Sequence, residues 1–225
     1  ADLLEAIHDT PGLRRIRFLT SYPRDMTRRI VEAVRDLPKV CEYFNIPVQA
    51  GHDATLTRMR RGYTVAQYIE KVELIRSLMP GAAVTTDVIV GFCGETDAEF
   101  QATYGLVERL RFDKVHVAAY SPRPGTIAAR KLEDDVPSEE KKRRLHAIEE
   151  LEARIAAEIN TGLIGPVQDI LVETRAGGRW TGRTRSNKLV HFTGEGLAPG
   201  DVVPVRIDAA TAWSLRGATA APVEA

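Results

Sequence analysis

The pattern of hydrophobic residues changes near Gly162, and this change constrains the fold more than any other feature. Up to about residue 137, short β-type runs alternate with helical runs, which is typical of βα units around a parallel sheet. After Gly162, five short β-type runs follow at a spacing of roughly ten residues, with turn residues between them. We therefore predict an α/β domain over residues 1–162 and a small all-β, OB-like barrel over residues 163–225.

The first region should contain four parallel strands, at residues 15–21, 43–50, 83–92 and 114–121. Thr64 with Gln67, and Thr96 with Glu99, have the spacing of capping boxes and predict two helix starts. From Ser138 onward, apolar residues recur every three or four positions, which predicts one long amphipathic helix. The five runs of the second region are residues 167–174, 179–185, 188–193, 201–208 and 212–217.

Composition excludes several classes of protein. Thirty-one basic residues balance 31 acidic ones, so any signal for a charged partner must be local. No long uncharged apolar stretch and no signal sequence are present, so we expect neither membrane spanning nor secretion. Cys41 and Cys93 lack the spacing of a disulfide scaffold or zinc site, and a metal site that adds His52 to them is not expected. A reducing cytoplasm is the predicted location.

Polar and glycine residues follow each predicted parallel strand, where reacting groups gather in such folds. The Gln49 amide suits a pair of ribose hydroxyls, and Gly91 and Gly94 would let a ligand approach the helix N-terminus at Thr96. Each glycine alone could simply form a turn. Four polar strand ends together predict a shared pocket.

Two charged features of the first region allow more than one interpretation. Arg58, Arg60 and Arg61 could hold a ligand carboxylate or an RNA phosphate, or they could be a solvated helix end. Asp87 lies within an apolar run, and we expect it to make a structural hydrogen bond to a neighbouring loop.

The second region contains a strongly basic hairpin. Between Thr174 and Gly194 there is no acidic residue, and the cations there are Arg175, Arg179, Arg183, Arg185 and Lys188. Trp180, His191 and Phe192 lie among them, and cations combined with rings on an OB-like face are typical of RNA binding. The alternative is a solvated basic hairpin with Trp180 in the core.

Several motifs occur in an order that resembles the MiaB-type tRNA methylthiotransferases. They are RIRFLTSYPRDMT, YFNIPVQAGHDATLTRMRRGYT, TTDVIVGFCGET, AAYSPRPGTIAA, WTGRTRSNKLVHF and AWSLRG, between about Leu13 and Gly217. The resemblance implies a transferase with a partial radical S-adenosylmethionine (βα) barrel and a C-terminal TRAM barrel that binds RNA. Its reaction would add a methylthio group to carbon 2 of isopentenyladenosine beside the anticodon of tRNA.

The resemblance also implies roles for individual residues. Those expected to bind S-adenosylmethionine are Ser21, Gln49, Arg61, Val88 and Tyr120. Those expected to bind the anticodon stem-loop of tRNA are Arg183, Arg185, Asn187, Lys188 and Arg216. No catalytic residue and no metal ligand is assigned within the chain.

One departure from the family pattern is large. The family holds two [4Fe–4S] clusters through a CxxxCxxC motif and through cysteines of an N-terminal domain, and neither motif occurs here. We therefore expect a C-terminal portion that is inactive alone, with its clusters in a missing N-terminal part and an unpaired sheet edge. The intact enzyme is expected to be a monomer. Smaller departures are Ala50 in place of a common serine and Cys93 in place of a common proline.

Two other functions remain open. A methylthiotransferase acting on a ribosomal protein would use the same chemistry, but such enzymes usually carry a more acidic sequence where this chain has TGRTRSNKLV. A non-catalytic RNA-binding protein would combine a degenerate half barrel with a working TRAM domain.

Overall fold

The computed structural model describes residues 1–19 and 21–220 of the chain. They form two compact units, of which the first comprises Ala1–Glu152 and the second begins at Ala153. The domain boundary at residues 162/163 stays a prediction. Thr20, in the predicted strand 15–21, lies outside the described residues.

A three-stranded parallel sheet with surrounding helices forms the first unit. Its strands are β1 (Tyr43–Asn45), β2 (Ala83–Val90) and β3 (Lys114–Ala119), in the order β1-β2-β3. Its helices are α1 (Asp2–His8), α2 (Arg28–Asp36), α3 (Asp53–Arg58), α4 (Val65–Leu78), α5 (Asp97–Leu110) and α6 (Ile127–Lys131). Helix α7 (Ser138–Thr161) begins in the first unit and ends in the second. A short 3-10 turn covers Pro23–Asp25. The predicted α/β class with parallel strands is confirmed.

The first predicted strand does not form as a strand over its described residues, 15–19 and 21. Ile16 makes an isolated parallel bridge to Val40, and the Ser21 amide donates to the Asn45 carbonyl at 2.9 Å. Leu19 between them is 70% exposed, whereas Ile16 is 7% exposed and the Phe18 ring lies edge-on to Phe44 at a centroid distance of 6.0 Å. These described residues therefore pack against the sheet without a continuous ladder of backbone hydrogen bonds. The second predicted strand ends early at Asn45, and Gln49, with a φ of 73°, returns to the sheet by an isolated bridge to Val88.

Helix starts and the long helix agree with the sequence analysis. The Thr64 hydroxyl accepts from the Gln67 amide, and the Gln67 side chain accepts from the Thr64 amide. Thr96 and Glu99 make the same reciprocal pair at the start of α5. Both predicted capping boxes are confirmed, and α7 runs from Ser138 to Thr161.

The second unit contains a closed five-stranded barrel. Its strands are β4 (Val167–Ala176), β5 (Arg179–Arg183), β6 (Leu189–Thr193), β7 (Val202–Ala210) and β8 (Leu215–Thr219), in the order β4-β5-β6-β8-β7. Strands β6 and β8 are parallel and the other pairs are antiparallel. Alternate residues fill its core, among them Ile170, Val190 and Leu215. The predicted OB-like barrel is confirmed.

Candidate functional site

A cavity of about 590 Å³ opens in the first unit at the carboxyl ends of β2 and β3. Its apolar wall includes Ile89, Phe92 and Leu132, and its polar wall includes Arg60, Arg61, Tyr120, Arg123 and Lys131. The volume lies in the range of small-molecule sites. A pocket at these two strand ends therefore exists, as the polar strand ends predicted.

Two polar atoms of the cavity-lining residues are buried without a hydrogen-bond partner among the described residues. They are Nε of Arg61 and the hydroxyl of Tyr120. Buried polar groups are nearly always hydrogen-bonded, because leaving one unpaired costs about 1–3 kcal/mol. The Tyr120 hydroxyl has the Cys93 thiol beside it, which is only a weak hydrogen-bond partner, so Arg61 Nε is the stronger of the two indications of a ligand that accepts hydrogen bonds.

Neighbouring groups hold the Tyr120 ring. The Phe92 ring lies against it edge-on at a centroid distance of 4.8 Å, and Lys141 Nζ lies 5.3 Å from the ring centroid. Burial, together with the neighbouring Cys93 thiol, raises the pKa of Tyr120. A phenol is protonated at neutral pH even at its ordinary pKa of about 10, so the Tyr120 hydroxyl is able to donate a hydrogen bond.

The other predicted cofactor-binding residues lie outside the cavity lining as described. Gln49 is 9% exposed, and its main chain bonds to Asp87 and Ile89 on β2. The Val88 side chain is fully buried, and Ser21 is half-buried beside Asn45. Their roles stay predictions. Sequence reasoning missed Ile89, although strand alternation beside the buried Val88 could have indicated it.

The three arginines near residue 60 separate into different roles. Arg58 forms a bidentate pair with Glu99, with nitrogen–oxygen distances of 3.0 and 2.7 Å, and also donates to the Cys93 carbonyl. Burial raises the pKa of Glu99, but the hydrogen bonds from Arg58 and the Thr96 amide, together with the charges of Arg58 and His52, outweigh it, so the net pKa is lowered. Arg58 therefore joins α3 to α5, whereas Arg60 and Arg61 line the cavity.

Asp87 lies on β2 with His116 as its register partner on β3. Burial raises its pKa, while His116 and a hydrogen bond from Asn45 act in the opposite direction. Asn45 belongs to β1. The Asn45 side-chain nitrogen donates to the Thr85 hydroxyl at 3.1 Å, and the expected structural hydrogen bond from Asp87 to a neighbouring loop stays a prediction.

In the second unit, the predicted RNA-binding residues of the hairpin shape its turn. Arg183 donates to the Asn187 carbonyl at 3.1 Å, and its Nε lies 3.5 Å from Glu173. Asn187 has a φ of 66°, and the Thr184 hydroxyl accepts from the Lys188 amide. Arg183, Lys188 and likewise Arg185 are half-buried.

Arg216 differs from that group because it is exposed on β8. It is the register partner of His191 on β6. Both line a groove of about 420 Å³ on the barrel, together with Arg179 and Asp208. The structure brings Arg216 together with residues that were not predicted as site residues.

The aromatic residues expected among the cations do not face solvent. Trp180 is 7% exposed and donates from Nε1 to the Gly194 carbonyl at 3.2 Å, and Phe192 is 1% exposed. The interpretation that these two rings are available for base stacking was wrong, because both side chains on β5 and β6 point into the barrel core. The exposed ring is Trp213, at 54%, which the sequence analysis did not single out.

The residues present do not fit an iron–sulfur cluster. A [4Fe–4S] cluster needs three or more converging ligands, and this chain has two cysteines, both buried. Within residues 1–19 and 21–220 there is no group of three or more His, Cys, Asp or Glu residues placed to hold a metal ion. In the same ranges, none of the helices has the length and apolar character that crossing a bilayer requires.

Comparison with known families separates the chain into two matched regions. Residues 1–107 match the Radical SAM superfamily, and residues 163–219 match the TRAM domain. Among solved structures, coproporphyrinogen III oxidase of Escherichia coli, described as a radical SAM enzyme, matches 82% of this chain and 50% of its own. The TM-score is 0.56 and the identity 15%, so this likeness concerns the fold alone.

Curated relatives are much more similar in sequence. The tRNA-2-methylthio-N(6)-dimethylallyladenosine synthase of Dehalococcoides mccartyi strain CBDB1 is 46% identical over 96% of this chain and 52% of its own length. The synthase of the same name in Chloroflexus aurantiacus is 47% identical over 96% of this chain and 47% of its own length. That of Roseiflexus sp. is 48% identical over 98% of this chain and 47% of its own length. The chain spans about half the length of these relatives.

Proposed function

This chain belongs to the tRNA methylthiotransferase family of radical SAM proteins with a TRAM domain. We therefore propose that it acts in tRNA methylthiolation. In this proposal its first unit contributes to binding S-adenosylmethionine, and its barrel binds the anticodon stem-loop of tRNA. The product is adenosine that carries a methylthio group on carbon 2 beside its isopentenyl group. A cytoplasmic location and a monomeric intact enzyme are part of the proposal.

The observation that carries the cofactor assignment is the pair of orphaned donors at the cavity. S-Adenosylmethionine has a carboxylate and ribose oxygens, which are the acceptors that Arg61 Nε and the Tyr120 hydroxyl lack. Ile89 and Phe92 give the cavity an apolar wall for a purine ring. When bound, S-adenosylmethionine supplies the group from which radical chemistry starts.

This chain orients the cofactor and does not reduce it. The protonated Tyr120 hydroxyl donates to the ligand, and Arg61, with Arg60 and Arg123 in the same lining, holds an anionic group. The two [4Fe–4S] clusters of the family do not fit the residues present, so we derive no step through them. We expect the chain alone to bind ligands without turnover.

Equilibrium dialysis with labelled S-adenosylmethionine tests the cofactor assignment. A hydrogen bond to a charged group is worth about 1.5–3 kcal/mol, so Arg61→Met should weaken binding by about 10- to 150-fold. Tyr120→Phe should weaken it less, because the lost partner is neutral. Arg109→Met is the matched control, since Arg109 is exposed and pairs with Glu73. Equal affinity of Arg61→Met and the control would refute the assignment.

Salt dependence of tRNA binding tests the RNA assignment. Each phosphate contact with a single strand contributes about 0.7 to the slope of log K against log salt, so Arg216→Ala and Arg185→Ala should each flatten it. An unchanged slope in both variants, or no binding of tRNA by the chain, would refute the RNA assignment. In a deletion strain, unchanged methylthioadenosine in tRNA would favour the ribosomal-protein enzyme or the non-catalytic binder.

A further inference from the structure

Trp213 is an exposed aromatic residue on the barrel of the second unit. It lies in the turn between β7 and β8, and 54% of it is exposed to solvent. The other large hydrophobic residues exposed in this unit are aliphatic, and the described ones are Ile164, Val167 and Val202. Burying this indole would stabilise the fold, so its exposure on a small barrel needs a reason.

The turn that carries Trp213 is held rigidly. The Thr211 hydroxyl accepts from the amides of Trp213 and Ser214, at 3.2 and 3.0 Å, and the Thr211 amide donates to the Ser214 carbonyl at 2.8 Å. The Asn160 side chain donates to the carbonyls of Thr211 and Ala212, at 2.8 and 3.1 Å. Because Asn160 is 2% exposed, the turn is anchored to a buried group, and its backbone has little freedom to lose on binding.

A cationic groove begins close to this turn. Arg216 follows Trp213 by three residues, so their Cα atoms are at most about 11 Å apart. Arg216 lines the groove of about 420 Å³ together with Arg179 and His191. Asp208 is the acidic residue in the groove lining, which thus carries more positive than negative charge.

We propose that Trp213 and this groove form one subsite for an unpaired RNA nucleotide, with the base stacked on the indole and a neighbouring phosphate in the groove. The subsite rests on the proposed function and deepens it by naming the RNA element that the barrel recognises. Single-strand binding proteins combine the same two elements, a ring for the base and cations for the backbone. Arginine and tryptophan are also enriched at protein–protein interfaces, so a protein partner is an outcome of the test.

Collisional quenching observes the subsite directly. The chain has two tryptophans, and Trp180 is buried at 7% exposure, so acrylamide quenches mainly Trp213. The probes are an unpaired oligoribonucleotide and a blunt RNA duplex of the same length. The unpaired RNA should protect the fluorescence from acrylamide, whereas the duplex should protect it much less. Equal protection by both probes, or protection by neither, would overturn the subsite.

Substitution separates stacking from mere hydrophobic contact. Trp213→Ala should weaken binding of the unpaired RNA by about 5- to 150-fold, and Trp213→Phe should keep most of the affinity because it keeps a ring. Val202→Ala, at another exposed apolar residue of the same unit, should leave binding unchanged. Thermal unfolding of all three variants should match the parent chain, since the replaced side chains are exposed.

The outcomes distinguish the subsite from the proposed function. If the chain binds tRNA with a normal salt slope but Trp213→Ala binds as tightly as the parent, the subsite is wrong and the RNA assignment stands. If the parent chain binds no RNA, both fail. If Trp213→Phe binds as weakly as Trp213→Ala while both remain folded, ring stacking is refuted.

Discussion

Replacing Arg144 by methionine would leave a buried carboxylate without its counter-ion. Arg144 Nη1 donates to Glu95 Oε2 at 2.7 Å and to the Glu95 carbonyl at 2.9 Å. The Gly91 amide donates to the same Oε2 at 2.6 Å, and Glu95 Oε1 has no hydrogen-bond partner among the described residues. The two side chains are 5% and 0% exposed, so water cannot replace the arginine. The pair fixes the loop after β2 against α7, next to Phe92 of the cavity.

The expected cost of Arg144→Met is about 3–5 kcal/mol of unfolding free energy at pH 7.5, the range found when one partner of a buried ion pair is removed. Methionine preserves much of the side-chain volume, so little of this cost is a cavity effect. Glu95→Gln in the same chain should recover most of the loss, because a neutral amide needs no counter-ion. A double-mutant cycle over the two positions therefore isolates the pair.

Acid should reduce the loss. Burial raises the pKa of Glu95 above its ordinary value, although Gly91 and Arg144 act against it. A folded-state pKa above the unfolded one means that stability falls as pH rises from the ordinary carboxyl range through the raised value. Removing Arg144 raises the folded pKa further, so Arg144→Met should lose less stability at pH 5 than at pH 7.5.

Urea denaturation followed at 222 nm measures the effect in the first unit, where most of the helices lie. Both tryptophans lie in the second unit, so their fluorescence reports separately on the unfolding of that unit. A cost below about 1 kcal/mol at pH 7.5, or the same cost at both pH values, would refute the reasoning.

Two further perturbations follow from packing and titration. Gly182→Ala should destabilise the barrel by about 1–3 kcal/mol, because the added Cβ would lie 2.3 Å from the Leu171 carbonyl oxygen. Gly105→Ala in α5, where a Cβ would meet open space, should instead stabilise the first unit by about 0.5–1 kcal/mol. Equal effects of the two substitutions in urea denaturation would contradict this. Burial raises the pKa of Tyr63 to about 12, so the free energy of unfolding should fall as pH rises above 10. The fall should be shallower in Tyr63→Phe, which has no phenol to ionise. The same dependence on pH in both proteins would show that Tyr63 does not cause it.

Local signals in the sequence were sufficient for much of the fold. The capping boxes at Thr64 and Thr96 and the apolar spacing in α7 are determined by residues within one or two turns of helix, so they could be predicted without tertiary information. The barrel strands could be predicted because Gly and Asn turns separate them. Segment 15–21 was misjudged because strand formation depends on a neighbour, and Ile16 finds its partner Val40 only as an isolated bridge.

The candidate site was harder to predict, because side-chain direction decides which residues share a cavity. Val88 and Ile89 are adjacent in the sequence, yet one is fully buried in the core and the other lines the cavity. Arg58 and Arg61 belong to one basic run, yet Glu99, 41 residues after Arg58, engages Arg58 in an ion pair. Contacts at such separations leave no local pattern in a single sequence.

The basic hairpin shows why counting cations gives a poor map of RNA contacts. Arg183 bonds to the Asn187 carbonyl and faces Glu173, so part of its hydrogen-bonding capacity maintains the turn. Losing that side chain would disturb the turn as well as any phosphate contact, and reduced RNA binding by an Arg183 variant would have two explanations. Arg216 is exposed on a regular strand, and Trp213 is exposed on a turn anchored elsewhere. Substitutions at these two positions therefore report on RNA recognition with the least change to the fold.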